Sequence, residues 1–226
     1  MITLHHLNNS RSQRILWLME ELGLEYQIQF YERDPVTIFA PKSLEKVHPL
    51  GKSPVIVDSD NAELADTPIA ESGAIIEYLV EQYGAQLKPS TAQAIIQYRY
   101  WLHYAEGSLM PPLLMNLVFN KMKTAPMPFF IKPIARMLAD KVVSSFVGPN
   151  IKRHLRFIDA HLAQQPWMCG ETFSAADIQM SFPLEASVAR GLINETYPNI
   201  LDYVKRFQQR PAYQAALKAG GEYDYA

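Results

Sequence analysis

The chain has 226 residues, of which 48% are hydrophobic and 19% charged, and its 21 Lys and Arg against 23 Asp and Glu give a formal net charge of −2. This composition is typical of an ordinary globular domain protein, and it leaves no excess positive charge for a nucleic-acid partner. No basic leader precedes an apolar run, and no stretch reaches the roughly 18 apolar residues of a membrane span, so we expect a cytoplasmic protein without a membrane partner. The single cysteine, Cys169, excludes an intrachain disulfide and a multi-cysteine zinc site.

The charge is divided unevenly along the chain. Residues 1–84 carry 6 Lys and Arg against 13 Asp and Glu, a net of −7, whereas residues 85–226 carry 15 against 10, a net of +5. Strand-like patterns also end near Gly84. We therefore predict one domain at residues 1–84, a linker at 85–91 and a second domain at 92–226.

The first domain alternates strand and helix patterns. Four short segments are predicted as strands, the last of them as a candidate only: Ile2–Leu7, Tyr26–Tyr31, Val55–Val57 and Ala62–Asp66. Apolar residues at helical spacing predict a helix over Arg14–Leu22, which ends at Gly23, and a second helix that begins after Ser72 and ends at Gly84. The pattern is a β-α-β unit followed by a hairpin and a helix, which indicates a small α/β domain.

The second domain shows no convincing strand and is predicted to be all helical. Helices are expected over Gln93–Asn120, Pro133–Gln164 and Ser174–Gly191, with two short ones from Pro198 and Pro211. We expect a kink at Pro111-Pro112 and an interruption near Gly148-Pro149, because proline removes a helical N–H donor. Ser174 and Asp177 have the spacing of a capping box at a helix start.

Three polar segments lie where a strand of the first domain meets a helix or a turn: His6–Arg14, His48–Pro54 and Glu71–Gly73. The first leads into a helix, whose unpaired N–H groups and positive dipole end favour an anion. If the Ser53–Pro54 bond is cis, the backbone of Ser53 is placed to pair with an extended peptide, and the Ser72 amide can receive a carboxylate. Each of the three segments is thus a candidate binding position, for an anion, an extended peptide or a carboxylate.

Four motifs in this order resemble one known family: Asn8-Asn9-Ser10-Arg11-Ser12-Gln13-Arg14, Gly51-Lys52-Ser53-Pro54, Glu71-Ser72 and Phe173-Ser174-Ala175-Ala176-Asp177-Ile178. The chain resembles the serine-type glutathione S-transferases, nearest a branch found in bacteria and fungi. The resemblance covers nearly the whole chain. It implies a thioredoxin-like N-terminal domain that binds glutathione and a helical-bundle C-terminal domain that supplies most of the second-substrate pocket.

The resemblance implies a catalytic role for Ser10, four residues before Arg14. Its hydroxyl would donate a hydrogen bond to the glutathione sulfur and so favour the thiolate. Spacing alone favours a different role, since serine is a preferred residue for capping a helix. Asn8 and Asn9 are alternative donors to the sulfur, although such residues more often shape turns.

The resemblance also implies five glutathione-binding residues: Lys52, Ser53, Pro54, Glu71 and Ser72. In this interpretation Pro54 is the family's cis-proline and Ser53 pairs its backbone with the cysteinyl part of the tripeptide. Glu71 and Ser72 hold the γ-glutamyl end, and Lys52 meets the glycyl carboxylate. The family more often has an apolar residue where Ser53 stands.

Tyr104 and Ser108 share a helical face and are candidates for the second-substrate pocket, although such a face more often packs in a core. We predict no metal site, because the neighbouring His5 and His6 point to opposite faces of one strand. Glutathione is expected as a co-substrate, without a further cofactor.

The sequence therefore predicts an enzyme that activates glutathione as a thiolate for attack on small hydrophobic electrophiles, with glutathione-dependent peroxidase activity as a further expectation. The alternative is a non-catalytic glutathione-binding or regulatory module on the same scaffold. We also predict a homodimer, in which the acidic first domain of one subunit packs on the basic second domain of the other.

Overall fold

Four strands and two helices form the N-terminal part of the chain, and seven helices follow, within the residues that the computed structural model describes, 1–35, 37, 39–64 and 67–226. The strands are β1 Ile2–Leu7, β2 Tyr26–Tyr31, β3 Val55–Asp58 and β4 Pro68–Ala70. The helices are α1 Ser12–Leu22, α2 Ser72–Tyr83, α3 Ala92–Tyr104, α4 Met110–Thr124, α5 Lys132–Val142, α6 Gly148–Leu162, α7 Ala175–Ala189, α8 Pro198–Gln208 and α9 Pro211–Gly220. Short 3₁₀ turns cover Lys42–Lys46 and Ala85–Leu87.

The strands form one sheet in the order β2-β1-β3-β4. β1 runs parallel to β2, with Ile2 opposite Tyr26, and antiparallel to β3, with His5 opposite Val55, while β4 is antiparallel to β3. Helices α1 and α2 contact each other and the sheet. This arrangement, followed by a helical domain, confirms the predicted thioredoxin-like fold with an all-helical second part.

The fourth strand lies further along the chain than the sequence pattern predicts. Of the candidate segment Ala62–Asp66, residues 62–64 form a turn, and Ala65 and Asp66 lie outside the described residues. The strand is Pro68–Ala70, where Ile69 pairs with Ile56 of β3. Proline is tolerated at the first position of a strand because its missing N–H need not enter the ladder.

Each of the two interruptions predicted in the long helices takes the form of a π-helical segment. One, at Ala105–Leu109, joins α3 to α4 just before Pro111. The other, at Val143–Val147, joins α5 to α6 just before Pro149. A proline cannot donate to the preceding turn and crowds the carbonyl of residue i−4. The wider π turn accommodates both effects, so the helical path continues.

The two parts of the chain pack through buried aromatic and polar contacts. Trp17 of α1 is fully buried, and its ring lies 5.4 Å from Phe207 and 5.3 Å from Tyr213. Glu21, at the end of the same helix, accepts two hydrogen bonds from Arg210, with the second, from Nη2, measuring 2.8 Å. Helix α1 therefore anchors the sheet to the helical domain. None of the helices described is long and apolar enough to cross a membrane.

Candidate active site

The five residues predicted to bind glutathione line one cavity of about 290 Å³: Lys52, Ser53, Pro54, Glu71 and Ser72. A neighbouring cavity of about 410 Å³ shares Arg11, Leu50, Lys52 and Ser53 with it. Because the two cavities have these walls in common, we treat them as one depression and call it the polar groove. It lies at the end of β1, beside the start of α1 and of α2.

The loop before β3 forms one wall of the groove. Gly51 has φ +56°, and a Cβ there would lie 2.9 Å from Glu45 Cγ, so this turn requires glycine. The Ser53 hydroxyl donates to the His5 carbonyl at 2.8 Å and accepts from the Leu7 amide at 3.2 Å. The Ser53–Pro54 peptide bond is cis. The serine that stands in place of the usual apolar residue thus ties the loop to β1 by its side chain.

A strained residue forms the opposite wall. Glu71, which precedes α2, has φ +69°, a conformation that non-glycine residues rarely adopt. Such strain costs on the order of 1–3 kcal/mol and is concentrated at ligand-binding positions. The next residue, Ser72, is buried, and its hydroxyl accepts a hydrogen bond from Arg14 Nη2. The Ser72 hydrogen therefore remains available to donate.

An ion-pair cluster built around the buried Arg14 lies beside these walls. Arg14 donates to the Gln179 carbonyl at 2.6 Å, and its Nη2 lies 2.6 Å from Glu106 Oε1. Arg11 Nε donates to the same oxygen at 2.8 Å. Burial would raise the pKa of Glu106, but the charges and hydrogen bonds of Arg14 and Arg11 outweigh it and leave that pKa below its ordinary value. Two cations share one carboxylate, so the cluster has a net charge of +1.

Ser10 is buried beneath the start of α1. Its hydroxyl accepts from the Ser12 amide at 3.2 Å and shares a hydrogen bond of 2.8 Å with the Ser12 hydroxyl. The Ser12 hydroxyl in turn contacts His6 Nδ1 at 3.0 Å, and burial lowers the pKa of His6 to about 4, so this imidazole is neutral at pH 7. In this arrangement the Ser10 hydroxyl bonds the first residue of α1, while Arg11 occupies the N-cap position and its side chain makes no capping bond. Its side chain must rotate to reach a ligand in the groove.

Arg11 is the residue that sequence reasoning missed. It lines both parts of the polar groove and also a separate cavity described below. A signal was present in the sequence, because a cation at a helix N-terminus opposes the helix dipole and Arg11 occupies the cap of α1. An unfavourable residue at such a position indicates a role other than helix stability.

A second cavity of about 500 Å³ lies between the two domains and the C-terminal tail, and its lining is mainly apolar. Its walls are Asn9, Arg11, Arg33, Met110, Leu114, Leu117, Lys121, Phe182, Arg190, Asp224 and Tyr225. The tail is fixed by Asn9, whose side chain donates to Asp224 Oδ2 at 2.7 Å and accepts from the Asp224 amide at 2.8 Å. Arg11 lines both this second cavity and the polar groove, as do Arg33 and Leu114.

The residues predicted for the second-substrate pocket do not line this cavity. Tyr104 is buried among aromatic rings, 5.1 Å from Trp101, and its hydroxyl is hydrogen-bonded to His154 Nδ1. Burial accordingly raises the Tyr104 pKa. Ser108 is exposed within the π-helical segment. The geometry supports core packing for Tyr104 and solvent exposure for Ser108, because the π turn alters the helical face that they were expected to share.

Cys169 and Asn8 do not line the groove. The Cys169 thiol is half-buried, and burial raises its pKa to about 12, which keeps it protonated. Asn8 accepts from the Arg33 amide at 2.9 Å, a structural contact. In the part of the chain that the structure describes, no three His, Cys, Asp or Glu side chains come together as a metal ion would require.

Fold and groove define a class of two-domain proteins, in which a thioredoxin-like domain with a ligand groove precedes a helical domain. The profile of the glutathione S-transferase N-terminal domain matches residues 10–82, and that of the C-terminal domain matches residues 145–206. The chain belongs to the glutathione S-transferase family of enzymes, as the sequence motifs predicted.

Individual relatives agree with this assignment. Glutathione S-transferase 3 of Schizosaccharomyces pombe is 38% identical, over 96% of this chain and 87% of the relative. Glutathione S-transferase 1 of Saccharomyces cerevisiae is 35% identical, over 96% and 94%. The solved structure of a glutathione S-transferase from Actinobacillus pleuropneumoniae superposes with a TM-score of 0.77 at 32% identity, covering 97% of this chain and 93% of that one.

Proposed function

We propose that the protein activates glutathione as a thiolate in the polar groove and transfers it to a small electrophile in the second cavity. The observation that carries this proposal is the position of Arg11, which borders both spaces. The two substrates would then meet across one guanidinium. A cation at the meeting point favours a thiolate over a thiol.

Glutathione is proposed to lie with its γ-glutamyl end at Glu71 and Ser72. The free hydrogen of the Ser72 hydroxyl suits the γ-glutamyl carboxylate, since Arg14 donates to the oxygen and polarises the hydroxyl. The backbone of Ser53 would pair with the cysteinyl residue, and Lys52 would meet the glycyl carboxylate. These assignments lead the sulfur toward the start of α1.

The energy needed for thiolate formation is modest. A free thiol has a pKa near 8.5, and lowering it by about two units takes roughly 2.7 kcal/mol. One hydrogen bond to the anion supplies about 1.5–3 kcal/mol and a helix N-terminus about 0.3–1 kcal/mol. We propose Ser10 as the donor, after its hydroxyl rotates away from Ser12. Losing that internal hydrogen bond costs about 1 kcal/mol, which the net positive charge of the Arg11 cluster offsets.

The proposed reaction joins the glutathione sulfur to an electrophilic carbon and expels its leaving group. Hydroperoxides are included among the proposed substrates, because the same thiolate can attack the O–O bond and release an alcohol. A second glutathione would then reduce the oxidised sulfur to give glutathione disulfide and water. The lining of the second cavity, rather than the groove, would select among these substrates.

Two measurements test the proposal. Conjugation of 1-chloro-2,4-dinitrobenzene and reduction of a hydroperoxide panel are assayed with glutathione, and the thiol of the bound tripeptide is titrated by ultraviolet difference spectroscopy. We expect turnover and a bound thiolate near neutral pH. A non-catalytic glutathione-binding module would bind the tripeptide with an unshifted thiol and turn over none of these compounds, which would overturn the proposal.

We further propose a homodimer that works in the cytoplasm. The net charges of −7 on residues 1–84 and +5 on residues 85–226 favour packing of unlike domains about a two-fold axis. Glutathione is kept reduced in the cytosol, and a chain with one cysteine needs no oxidising compartment. Sedimentation at micromolar concentration should give the mass of two chains. A single-chain mass at physiological salt would exclude the dimer.

A further inference from the structure

We propose that the electrophile carries an anionic group beside its apolar reacting part, and that Lys121 and Arg190 select for that group. The inference rests on the proposed function, because it describes the second substrate of the same reaction. It begins from the charges that line the second cavity.

Among the described residues, four cations and one carboxylate line the second cavity, a net charge of +3. The carboxylate, Asp224, is already hydrogen-bonded to Asn9 through both its Oδ2 and its backbone amide. Of the cations, Arg11 is paired with Glu106, but that carboxylate also serves Arg14, so the cluster stays positive. The cavity therefore has a positive potential that an apolar, neutral substrate would not use.

Two of these cations do not line the proposed glutathione site. Arg11 and Arg33 line the polar groove as well, where the carboxylates of glutathione are proposed to bind. Lys121 and Arg190 line the second cavity and neither part of the groove. Lys121 lies on α4, and Arg190 follows the last residue of α7. The two cations therefore lie on different elements of the fold and line the same cavity.

Arg190 lines the second cavity and contacts Tyr225, another of its lining residues. Its guanidinium lies 5.5 Å from the centre of the Tyr225 ring, and its Nη2 is 3.4 Å from the Tyr225 hydroxyl. Lys121, which also lines the cavity, is exposed, as is Arg190. Both cations are thus accessible from solvent, where they can also attract an anion during its approach.

The remaining lining is apolar and suits the reacting part of such a molecule. Phe182 is only 6% exposed, and Leu114, at the opening, is 54% exposed. Met110 and Leu117 complete this surface. A cavity of about 500 Å³ with an apolar interior and cations at its rim fits an aromatic or aliphatic acid.

A matched pair of electrophiles tests the inference. The compounds 4-chloro-3-nitrobenzoate and 4-chloro-3-nitrobenzamide react alike: the glutathione sulfur bonds to the ring carbon and chloride leaves. Each kcat/KM is divided by the uncatalysed rate constant, which removes the difference in intrinsic reactivity. We expect the normalised value to favour the benzoate about tenfold, equivalent to about 1.4 kcal/mol. The preference should shrink as salt is raised.

Variants connect the preference to the two side chains. Arg190→Gln and Lys121→Gln should each reduce the ratio, and the double variant should bring it close to one. Arg156→Gln and Lys218→Gln remove the same charges from exposed positions on α6 and α9, and they should keep the ratio of the unaltered protein. A general effect of net charge would change all four variants alike.

Equal normalised rates for the two compounds, or an unchanged ratio in the double variant, would overturn the inference. If only 1-chloro-2,4-dinitrobenzene is conjugated, the two compounds are compared as inhibitors of that reaction, and equal inhibition constants would overturn the inference as well. A protein that conjugates nothing contradicts the proposed function instead. Direct calorimetric dissociation constants for benzoate and benzamide then still decide whether the cavity prefers the anion.

Discussion

The polar groove and the second cavity are neighbours built on different principles. The groove is made by short loops of the first domain, in which backbone geometry and a few polar side chains define each position, such as Gly51 with its positive φ. The second cavity is enclosed by helices α4 and α7 and by the C-terminal tail, and its walls are mainly apolar side chains. Chemistry that must be the same in every turnover is thus placed on loops with fixed geometry.

Under the proposed function, the glutathione site and the second-substrate site differ in how many substitutions they tolerate. A loop held by a required glycine and by side-chain hydrogen bonds tolerates few substitutions. An apolar wall accepts exchanges of similar volume at small cost. Of the described residues, only Arg11, Arg33 and Leu114 line both spaces, so we expect most other substitutions to affect one substrate more than the other.

The largest expected effect comes from Arg14, the buried residue beside the polar groove. Replacing Arg14 by leucine removes three hydrogen bonds that its guanidinium donates, to Glu106, to the Gln179 carbonyl and to Ser72. Glu106 then keeps Arg11 as its ion-pair partner. We expect the free energy of unfolding, measured by urea denaturation, to fall by about 3 kcal/mol. Glutathione binding should weaken as well.

Arg14→Lys is the matched control for this variant. Lysine keeps the charge but cannot donate to three acceptors at once. The free energy of unfolding of this variant should therefore lie between those of the unaltered protein and the leucine variant. A leucine variant as stable as the unaltered protein would show that the cluster does not hold the groove together.

The sequence predicts the groove better than the cavity for a physical reason. The bounds of β1 and β2 follow from alternating side chains, and the groove residues lie in three short motifs. The cavity joins Leu114, Phe182 and Tyr225, which are far apart in the chain and which no local pattern connects. On a helix, an apolar residue at a cavity and one in a core have the same spacing.

Two features of the groove and its surroundings were also beyond sequence reasoning. The direction of the Ser10 hydroxyl depends on which neighbour it bonds, and here it bonds Ser12. The placement of Tyr104 away from the second cavity depends on the π turn that follows it and on the contact of its hydroxyl with His154 of α6. Both depend on contacts that only the folded chain supplies.

The second prediction tests the catalytic role proposed for Ser10. Ser10→Ala should lower kcat at least tenfold, about 1.4 kcal/mol, while the dissociation constant of glutathione stays within a few fold, because the hydroxyl acts on the anion and the tripeptide is held elsewhere. The pKa of the bound thiol is measured in the same variant and should rise. Unchanged turnover would transfer the donor role to another group, with Arg11 the first candidate and Asn8 or Asn9 next.

The third prediction concerns pH and the second-cavity side of the molecule. Burial raises the pKa of Glu185 to about 7 from an ordinary value of 4.5, although it accepts from Gln208 at 3.2 Å and Tyr223 at 3.1 Å. Between pH 4.5 and pH 7, Glu185 is therefore protonated in the folded state but ionised in the unfolded chain. Stability is therefore greatest at low pH in this window and is lost as the pH rises through 7.

Between about pH 6 and pH 8 the expected loss is about 1.4 kcal/mol in the free energy of unfolding. Glu185→Gln should remove most of this dependence. Burial also raises the pKa of Asp177, to about 6, so a smaller loss of stability near the lower end of the window should persist in the glutamine variant. A glutamine variant with the same pH profile as the unaltered protein would assign the titration to a different group.

The smallest expected effect is that of Asp224→Ala, which should change the KM of one substrate and not that of the other. Asp224→Ala removes the acceptor of the Asn9 side chain but keeps the backbone hydrogen bond, so the tail should loosen without detaching. We expect the KM of the neutral electrophile 1-chloro-2,4-dinitrobenzene to rise about two- to threefold, which corresponds to one exposed hydrogen bond of roughly 0.5 kcal/mol. The KM of glutathione should not change, because Asp224 lines the second cavity and neither part of the groove.

Glu222→Ala, in the same tail and exposed, is the control for this variant. If the KM of glutathione rises instead, the contact between Asn9 and Asp224 supports the groove, and the division between the two spaces is wrong.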